Sequence, residues 1–387
     1  MTTKILVVDD EPDLELLINL NFSDQVKRKE LEFAFAQDGR EALDKLGEQP
    51  EIDVVLTDIN MPKMDGLTLL SRINEQFPMM KTVIISAYGD MSNIRTAMNR
   101  GAFDFVTKPI DLKDLEITLG KTIKEAVERK TAIQNYDKLL TIENELSVAT
   151  RIQTSILPRT FPPFPERKEF ELHAHMTPAK EVGGDFYDFF FIDNDRLGFV
   201  IGDVTGKGVP AALFMAVSRT FLKATALTGL SPRDCLERVN RSLYKESVME
   251  MFVTVFYGML DIRTGEIRYS NGGHNSPYLL RKNGEVKIIP DTGGIMLGGM
   301  EFSRYKEGEI TLQSGDTLVL YTDGVTEAFN SKEEEYEEKR LEACLGSLAG
   351  SPVLTITSEV VKDVEKFAAG APQSDDLTML VLKYAGA

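Results

Sequence analysis

The sequence predicts two domains of different fold class that are joined by a long helix. Up to about residue 120, short apolar runs alternate with helical patterns, which predicts a parallel α/β fold. From residue 159 onwards, strands with glycine turns and helices come in separate blocks, which predicts an α+β sandwich. Between them, the stretch from Asp111 to Pro158 repeats apolar residues at steps of three and four. The expected boundaries are therefore 1–120, 121–158 and 159–387.

The size and charge of the chain exclude several classes of protein. Its 387 residues suit two ordinary domains, and 42% hydrophobic with 27% charged residues is typical of soluble globular proteins. The formal net charge of −17 opposes binding to nucleic acid or to an anionic membrane. No apolar run is long enough to span a bilayer, and the N-terminus lacks the pattern of a signal peptide. Cys235 and Cys344 are expected to be free thiols, so we expect a cytoplasmic protein.

The first domain is expected to be a doubly wound sheet of five parallel strands. The predicted strands are KILVVDD, LEFAFA, DVVLTD, KTVIIS and AFDFVTK, and helical patterns separate them. In such sheets, binding sites form beyond the carboxyl ends of the strands. The polar residues at these ends are Asp9, Asp10, Asp58, Ser86 and Lys108.

Three carboxylates at one sheet edge repel one another unless a cation joins them. Oxygen ligands in this number suit Mg²⁺, and a nearby lysine can pair with a phosphate. The cluster therefore predicts a carboxylate that accepts a phosphoryl group. Acids that merely cap strand ends would explain Asp9 or Asp58 singly, but not the whole set.

Four pieces of this domain, VVDDE, DVVLTDINMPKMDG, ISAYGD and VTKP, resemble the receiver domain of two-component response regulators. The resemblance covers the whole first domain and implies that a sensor histidine kinase phosphorylates Asp58. It also implies a Mg²⁺ site, whose ligands would be Asp9, Asp10, Asp58 and the backbone carbonyl of Asn60.

The same resemblance implies how the receiver would respond to phosphorylation. Ser86 and Lys108 would hold the phosphoryl group, and the Lys108–Pro109 peptide would be cis. Phe105 would act as the aromatic switch at a position where tyrosine is frequent. Phenylalanine can still move in and out, but it cannot donate a hydrogen bond.

The apolar residues of the linking stretch follow the period of a helix with a narrow seam, as in a coiled coil. They are Leu112, Leu115, Leu119, Ile123, Ala126, Ile133, Tyr136 and Leu140, followed by Leu146, Ala149, Ile152 and Ile156. A solvated spacer helix is the alternative. We favour a rod that forms a homodimer and carries a signal, because a plain spacer would not need an apolar seam through the junction.

The second domain places acids at the ends of its predicted strands, beside glycines or turns. They are Asp185 in EVGGDFYD, Asp203 in VIGDVTGKG, Asp323 in VLYTDGVTEA, and Asp375 and Asp376 in QSDDLTMLVL. A carboxylate on a rigid strand end suits a metal site, and glycine lets backbone and ligand approach closely. Such a set could hold two divalent cations that act on a phosphoryl group. Any single acid could equally be a turn residue.

The motifs GGDFYD, GDVTGKGVPAAL, NGGHNSP, YTDGVTEA and DDLTMLVL match, in order, the sporulation stage II protein E family of bacterial phosphatases. That family belongs to the metal-dependent, type-2C protein phosphatase superfamily, and ELSVATRIQTSILP resembles its helical lead-in. The resemblance implies an α-β-β-α sandwich with two Mn²⁺ or Mg²⁺ ions. Asp203 would bridge both ions, and the Val204 carbonyl would assist.

The remaining carboxylates also receive roles from the resemblance. Asp323 and Asp375 would complete the first ion, and Asp185 would bind or orient the second. Asp375 is favoured over Asp376 because it is the first of the pair, and Asp376 stays an alternative. His274 in NGGHNSP could be catalytic, but such a histidine is more often a structural turn residue.

The glycine-rich piece GDVTGKG also resembles a phosphate-cradling loop. Lys207 is followed by Gly208, whereas a P-loop requires serine or threonine there. Nucleotide binding is therefore disfavoured.

Together the resemblances imply a response regulator whose output is a phosphoserine or phosphothreonine protein phosphatase. The implied substrate is an anti-sigma-factor antagonist. A non-catalytic adaptor with a phosphatase-like fold is the alternative, but such a domain would be expected to have lost the metal-site carboxylates. A DNA-binding regulator would need a helix-turn-helix and a basic recognition face, and the sequence predicts neither.

Overall fold

The computed structural model describes residues 2–87, 89–246 and 251–386. The chain divides into two compact units, 1–141 and 142–387, which are considered separately below. Tyr88 of the ISAYGD motif and the predicted helical residues Ser247 and Val248 lie outside the described residues. In the part of the chain that is described, no helix is both long and apolar enough to cross a bilayer.

The first unit is the predicted doubly wound α/β fold. Its strands are β1 Thr3–Val8, β2 Leu31–Ala36, β3 Ile52–Asp58, β4 Lys81–Ala87 and β5 Asp104–Lys108. Its helices are α1 Pro12–Asn21, α2 Ser23–Lys27, α3 Gly39–Glu48, α4 Gly66–Gln76, α5 Met91–Asn99 and the start of α6 Leu112–Ile156. The strands are parallel in the order β2-β1-β3-β4-β5, which confirms the fold class. The short helix α2 was not predicted.

The continuous apolar sequence of β3 is explained by burial of both faces of the sheet. Val54 and Leu56 point into one core cluster, and Val55 points into the cluster on the opposite face. All three side chains are completely buried. A strand that alternated apolar and polar residues could not occupy this central position.

The apolar seam predicted along α6 serves two different purposes. Leu115, Leu119 and Ala126 are buried in the core of the first unit, so they are not available to a partner helix. Further along the helix, Tyr136 is 62% exposed and Leu139 is 58% exposed. The expectation of one continuous coiled-coil seam from Leu112 is therefore wrong for its first half, because those residues complete the core of their own unit.

The second unit is the predicted α+β sandwich. Its strands are β6 Phe170–Thr177, β7 Phe186–Phe191, β8 Arg196–Val204, β9 Val253–Asp261, β10 Glu266–Gly272, β11 Tyr278–Leu280, β12 Val286–Ile288, β13 Gly308–Thr311, β14 Thr317–Tyr321 and β15 Leu377–Tyr384. Its further helices are α7 Val209–Ala226, α8 Pro232–Glu246, α9 Asp323–Thr326, α10 Glu337–Ser347 and α11 Val353–Ala368. Two antiparallel sheets form, with orders β13-β10-β9-β8-β7 and β12-β11-β14-β15-β6.

The alternation of side chains along β15 shows how the layers are packed. Leu380 and Leu382 join the large cluster that includes residues of both sheets and of α7 and α8. Met379 and Val381 join a second cluster, in which α10 and α11 cover the same sheet from outside. Strand β7 escaped prediction because its sequence FYDFFF is nearly all buried and shows no alternation. Strand β13 and the one-turn helix α9 were also not predicted.

A buried ion pair fixes α7 on the edge strand β7. Asp188 of β7 is completely buried, and its Oδ2 atom lies 2.7 Å from Arg219 Nη2 and 3.2 Å from Lys223 Nζ. Arg219 and Lys223 are four residues apart, so both project from one face of the helix. Lys223 also lies over the ring of Phe190, at 5.1 Å from the ring centroid.

We predict that Asp188→Asn lowers the free energy of unfolding by about 3 to 5 kcal/mol, because two cations would lose their buried partner. The matched control is Asp193→Asn, which removes an exposed pair with Arg196 at 2.6 Å. This control should cost less than about 1 kcal/mol. Urea unfolding of the three proteins measures the difference, and equal losses in the two variants would contradict the prediction.

Candidate functional sites

The first unit gathers its carboxylates at the carboxyl edge of the parallel sheet. Asp9 and Asp10 follow β1, and Asp58 ends the adjacent strand β3. One carboxylate oxygen from each lies within 4.8 Å of the others. The donors are all hard oxygen atoms, so the set fits Mg²⁺.

Lys108 is the basic partner of this cluster. Its Nζ atom lies 2.6 Å from Asp58 Oδ2 and 3.1 Å from Asp9 Oδ2. Burial raises the pKa of Asp9. Burial alone would lower the pKa of Lys108, but the hydrogen bonds that its ammonium group donates to Asp58 and Asp9 outweigh this effect and raise that pKa. One ammonium group against three carboxylates leaves the edge acidic, which favours a divalent cation.

The surroundings of Asp58 suit a phosphoryl group. Asp58 Oδ1 accepts hydrogen bonds from the backbone N–H groups of Ile59 at 2.6 Å and Asn60 at 3.3 Å. On the neighbouring strand β4, Ser86 is completely buried, and its hydroxyl has no hydrogen-bond partner among the described residues. A buried hydroxyl without a partner is costly unless a ligand oxygen reaches it.

The remaining switch residues are in the expected places. Phe105 lies on β5, is half-buried, and packs against the cluster that contains Ile84 and Ala97. The Lys108–Pro109 peptide is cis, as expected. The position of Phe105 between buried and exposed surroundings is compatible with a side chain that changes orientation.

The acids of the second unit come from strand ends in both sheets. Asp203 lies in β8, and Asp185 immediately precedes β7 in the same sheet. Asp323 begins α9 just beyond β14, and Asp375 lies two residues before β15 in the other sheet. The sandwich therefore brings together carboxylates that are up to 190 residues apart in sequence (185 to 375).

Burial and mutual repulsion raise the pKa values of Asp185, Asp203 and Asp323. The pKa of Asp185 is raised by burial first and by Asp203 second. The pKa of Asp203 is raised by burial and by Asp323, and that of Asp323 by burial and by Asp375. The carboxylate oxygens of this set are farther apart than those of the receiver cluster. Among the described residues, only the receiver cluster has ligand atoms that all lie within 4.8 Å of one another. Carboxylates in this state fit Mg²⁺ or Mn²⁺, because a hard cation removes the repulsion.

Asp376 organises the backbone next to this acid set. Its Oδ1 atom accepts a hydrogen bond from Ala179 N at 2.8 Å, and Oδ2 accepts from Gly184 N at 2.6 Å and Asp185 N at 3.3 Å. Gly183 is required there, because a Cβ atom would lie 2.1 Å from Asp376 Oδ2. Both carboxylate oxygens of Asp376 are thus used to hold the chain that carries Asp185.

Two further polar residues that the sequence did not reveal support the same segment. Thr322 donates a hydrogen bond to Asp185 Oδ2 at 2.7 Å. Gln153 of α6 is buried, donates to the Gly183 carbonyl at 2.6 Å and accepts from Gly183 N at 3.1 Å. Gln153 follows Leu146 and Thr150 on the packed face of the helix, so a polar residue in an apolar helical register was the available signal.

His274 occupies a structural position. Its Nδ1 atom accepts a hydrogen bond from the Thr254 hydroxyl at 2.9 Å, and Nε2 lies 3.1 Å from the Tyr321 carbonyl. Because a carbonyl can only accept, Nε2 carries the proton. Burial lowers the pKa of His274 to about 4. The neutral ring therefore links β9 of one sheet to β14 of the other, which agrees with the structural alternative favoured from the sequence.

Comparison with known families agrees with both units. Residues 5–119 match the model of the response regulator receiver domain, and residues 193–385 match that of Stage II sporulation protein E (SpoIIE). The chain joins a receiver domain to a SpoIIE domain. Both resemblances seen in the sequence are confirmed.

Known proteins resemble the chain over its larger part. Protein IcfG of Synechocystis sp. is 30% identical over 271 residues, which cover 62% of this chain and 41% of IcfG. Phosphoserine phosphatase RsbU of Bacillus subtilis is 28% identical over 245 residues, which cover 62% of this chain and 70% of RsbU. The chain thus spans about two fifths of the length of IcfG. The structure of the SiaA-PP2C domain of Pseudomonas aeruginosa matches with a TM-score of 0.57 and 22% identity, covering 64% of this chain and 98% of that domain.

Without a divalent cation, we predict that Asp185, Asp203 and Asp323 stabilise the SpoIIE domain at about pH 4 and that their contribution is lost towards neutral pH, whereas buried His274, whose pKa is lowered to about 4, contributes in the opposite direction. The raised pKa values of Asp185, Asp203 and Asp323 mean that the folded state binds more protons than the unfolded state in this window. Their stabilising contribution is complete below the ordinary aspartate pKa and is lost as the pH passes the raised values.

Urea unfolding in EDTA, followed by circular dichroism at several pH values, measures this dependence. Asp203→Asn removes one of the titrating groups and should reduce the slope. Mn²⁺ should restore stability near neutral pH in the unmodified protein. The same pH dependence in Asp203→Asn and in the unmodified protein in EDTA would show that the acids do not repel one another in the folded state.

Proposed function

We propose that this chain is a response regulator whose output is a metal-dependent phosphoserine and phosphothreonine protein phosphatase, controlled by phosphorylation of Asp58. The observation that carries the proposal is the set of acids in the SpoIIE domain, of which Asp185 is buried and Asp203 and Asp323 are half-buried, and whose pKa values are raised by burial and by one another. Such a set stores repulsion that a divalent cation relieves. The relative RsbU is named as a phosphoserine phosphatase, which supports the same reaction.

The proposed ligands are the residues that match the motifs of the phosphatase family. Asp203 would bridge two ions, with the Val204 carbonyl beside it, and Asp323 and Asp375 would complete one of them. A Cβ atom on Gly184 would lie 2.7 Å from the Val204 oxygen, so glycine keeps that carbonyl accessible. We favour Asp375 over Asp376 because both oxygens of Asp376 already accept backbone hydrogen bonds.

Two bound divalent cations would polarise a phosphoryl oxygen and supply an activated water at neutral pH. The chain itself contributes orientation. Thr322 holds the Asp185 carboxylate through one oxygen, and Asp376 holds the backbone N–H of the same residue. Thr205 stands where many eukaryotic members of the superfamily have a histidine, so protonation of the leaving serine oxygen is assigned to water.

In the receiver, we propose one Mg²⁺ ion bound by Asp9, Asp10, Asp58 and the Asn60 carbonyl. The close approach of the three carboxylates supports this assignment. The unpaired hydroxyl of Ser86 and the ammonium group of Lys108 would receive the phosphoryl oxygens. A sensor histidine kinase would be the phosphodonor.

We propose that regulation passes along α6, which includes most of the predicted linker of residues 121–158. Near one end of this helix Leu115 and Leu119 are buried in the receiver core, and near the other Gln153 bonds both backbone groups of Gly183. Gly183 lies two residues before Asp185. A change of pairing or register along the helix would therefore reach a metal-site carboxylate through the backbone.

We propose that two copies of the chain pair through the exposed apolar residues of α6. Of the predicted seam these residues include Tyr136, Leu140 and Ile152. The proposed substrate is a phosphorylated anti-sigma-factor antagonist, a small protein that carries one phosphoserine or phosphothreonine.

We predict that the purified protein hydrolyses a phosphoserine protein only with Mn²⁺ or Mg²⁺ present, and that Asp203→Asn abolishes the activity because the shared ligand is lost. Phosphate release with and without EDTA measures this. Asp193→Asn, which changes an exposed acid, is the control and should retain activity. Full activity of Asp203→Asn would contradict the assignment, and an inactive protein that still binds a sigma-factor regulator would favour the non-catalytic adaptor.

We also predict that Ile133→Pro uncouples phosphorylation of Asp58 from phosphatase activity. Proline inside a helix removes a backbone hydrogen bond and bends the helix, while Ile133 itself is 39% exposed and lies beyond the buried receiver residues. Activity is measured with and without beryllium fluoride, a phosphoryl mimic. Ile133→Ala keeps the helix and should keep the response, and an unchanged response in Ile133→Pro would show that the helix is only a tether.

A further inference from the structure

Lys207 lies against the acid set of the SpoIIE domain, although no role has been assigned to it above. Its Nζ atom is 2.8 Å from Asp375 Oδ2 and donates a further hydrogen bond to the Ser374 carbonyl. Its side chain is still 40% exposed. Among the described residues, it is the one basic side chain in an ion pair with Asp185, Asp203, Asp323 or Asp375.

The backbone conformation around Lys207 places its side chain next to the acid set. The residue stands between Gly206 and Gly208, whose φ angles of 89° and 78° are in the left-handed region that favours glycine. The loop leaves β8 directly after Asp203 and Val204 and ends where α7 begins at Val209. This 18-residue helix thus begins two residues after Lys207, and its N-terminus favours an anion nearby.

The ion pair between Lys207 and Asp375 suggests that Lys207 has a second binding partner. Asp375 is one of the carboxylates proposed to bind a cation, so Lys207 and that cation compete for the same charge. The hydrogen bond to Asp375 raises the pKa of Lys207, and the group therefore stays cationic at neutral pH. A divalent cation on Asp375 would displace the Lys207 ammonium group from that carboxylate, while its hydrogen bond to the Ser374 carbonyl would keep it near the acid set.

We propose that Lys207 binds the phosphoryl group of the substrate, and that its ion pair with Asp375 prevents this binding until a divalent cation occupies Asp375. The inference rests on the proposed phosphatase function and names the group that recognises the phosphate. A lysine ammonium group is a compact charge that suits a phosphate oxygen. The piece GDVTGKG is thus proposed as a phosphate-binding loop of a different kind from the nucleotide-binding loop that the sequence disfavours.

The first test is equilibrium binding of Mn²⁺ without substrate, measured by isothermal titration calorimetry. Lys207→Met removes the competing cation and should bind Mn²⁺ severalfold more tightly, whereas Lys207→Arg should resemble the unmodified protein. The control is Lys383→Met, because Lys383 donates only to the carbonyls of Gly350 and Ser351. Equal or weaker Mn²⁺ binding by Lys207→Met would overturn the competition between Lys207 and the cation.

The second test uses inorganic phosphate as the probe, at saturating Mn²⁺. Lys207→Met should raise the inhibition constant for phosphate and the KM for a phosphoserine peptide about tenfold or more, and Lys207→Arg should recover most of the loss. Melting temperatures check that each variant is folded. A lower kcat with an unchanged inhibition constant would mean that Lys207 only clamps the loop at Ser374, and it would overturn the proposal.

The two proposals fail in distinguishable ways. If the unmodified protein hydrolyses phosphoserine and Lys207→Met binds phosphate equally well, the inference fails and the phosphatase function stands. If the unmodified protein has no activity, the phosphatase function fails. Calorimetric titration of the Mn²⁺-loaded protein with phosphate then still compares the two side chains, and binding that depends on Lys207 supports its role.

Discussion

In the SpoIIE domain Asp185 is buried and Asp203 and Asp323 are half-buried, and the pKa of each is raised by burial and by the next acid in the set. Ionised carboxylates in such a place are stable only with a cation between them. In the receiver, three carboxylates lie closer together, and the Lys108 ammonium group balances part of their negative charge. The need for a cation therefore links each fold to its chemistry.

The sandwich can hold this repulsion because the acids stand on rigid elements. Two sheets each contribute carboxylates at one end of the domain, and His274 connects the sheets behind them. Asp376 and Thr322 then fix the backbone and side chain of Asp185. The sequence motifs with paired glycines are explained by the same crowding, since a Cβ atom on Gly183 or Gly184 would strike Asp376 or the Val204 carbonyl.

The order of strands and the chemistry-bearing residues could be predicted from the sequence, because buried parallel strands and acids at strand ends leave patterns within a few residues. Features that depend on tertiary contacts could not. Strand β7 shows no alternation of apolar and polar residues because both of its faces are buried. In the first half of the predicted α6 seam, Leu115, Leu119 and Ala126 are buried in the receiver core. The polar Gln153 in an apolar helical register was a signal, but its partner Gly183 is 30 residues away in sequence, and Asp376 contacts the 179–185 segment from up to 197 residues away.

We propose that phosphorylation of Asp58 controls the carboxylate site of the SpoIIE domain, which becomes active when it binds a cation. The most direct measurement is the Mn²⁺ concentration dependence of phosphoserine hydrolysis, with and without beryllium fluoride, in the unmodified protein and in Asp58→Asn. The account predicts that beryllium fluoride shifts the half-saturating Mn²⁺ concentration or the maximal rate in the unmodified protein, and leaves Asp58→Asn unchanged. Superimposable Mn²⁺ curves for the unmodified protein with and without beryllium fluoride would contradict it.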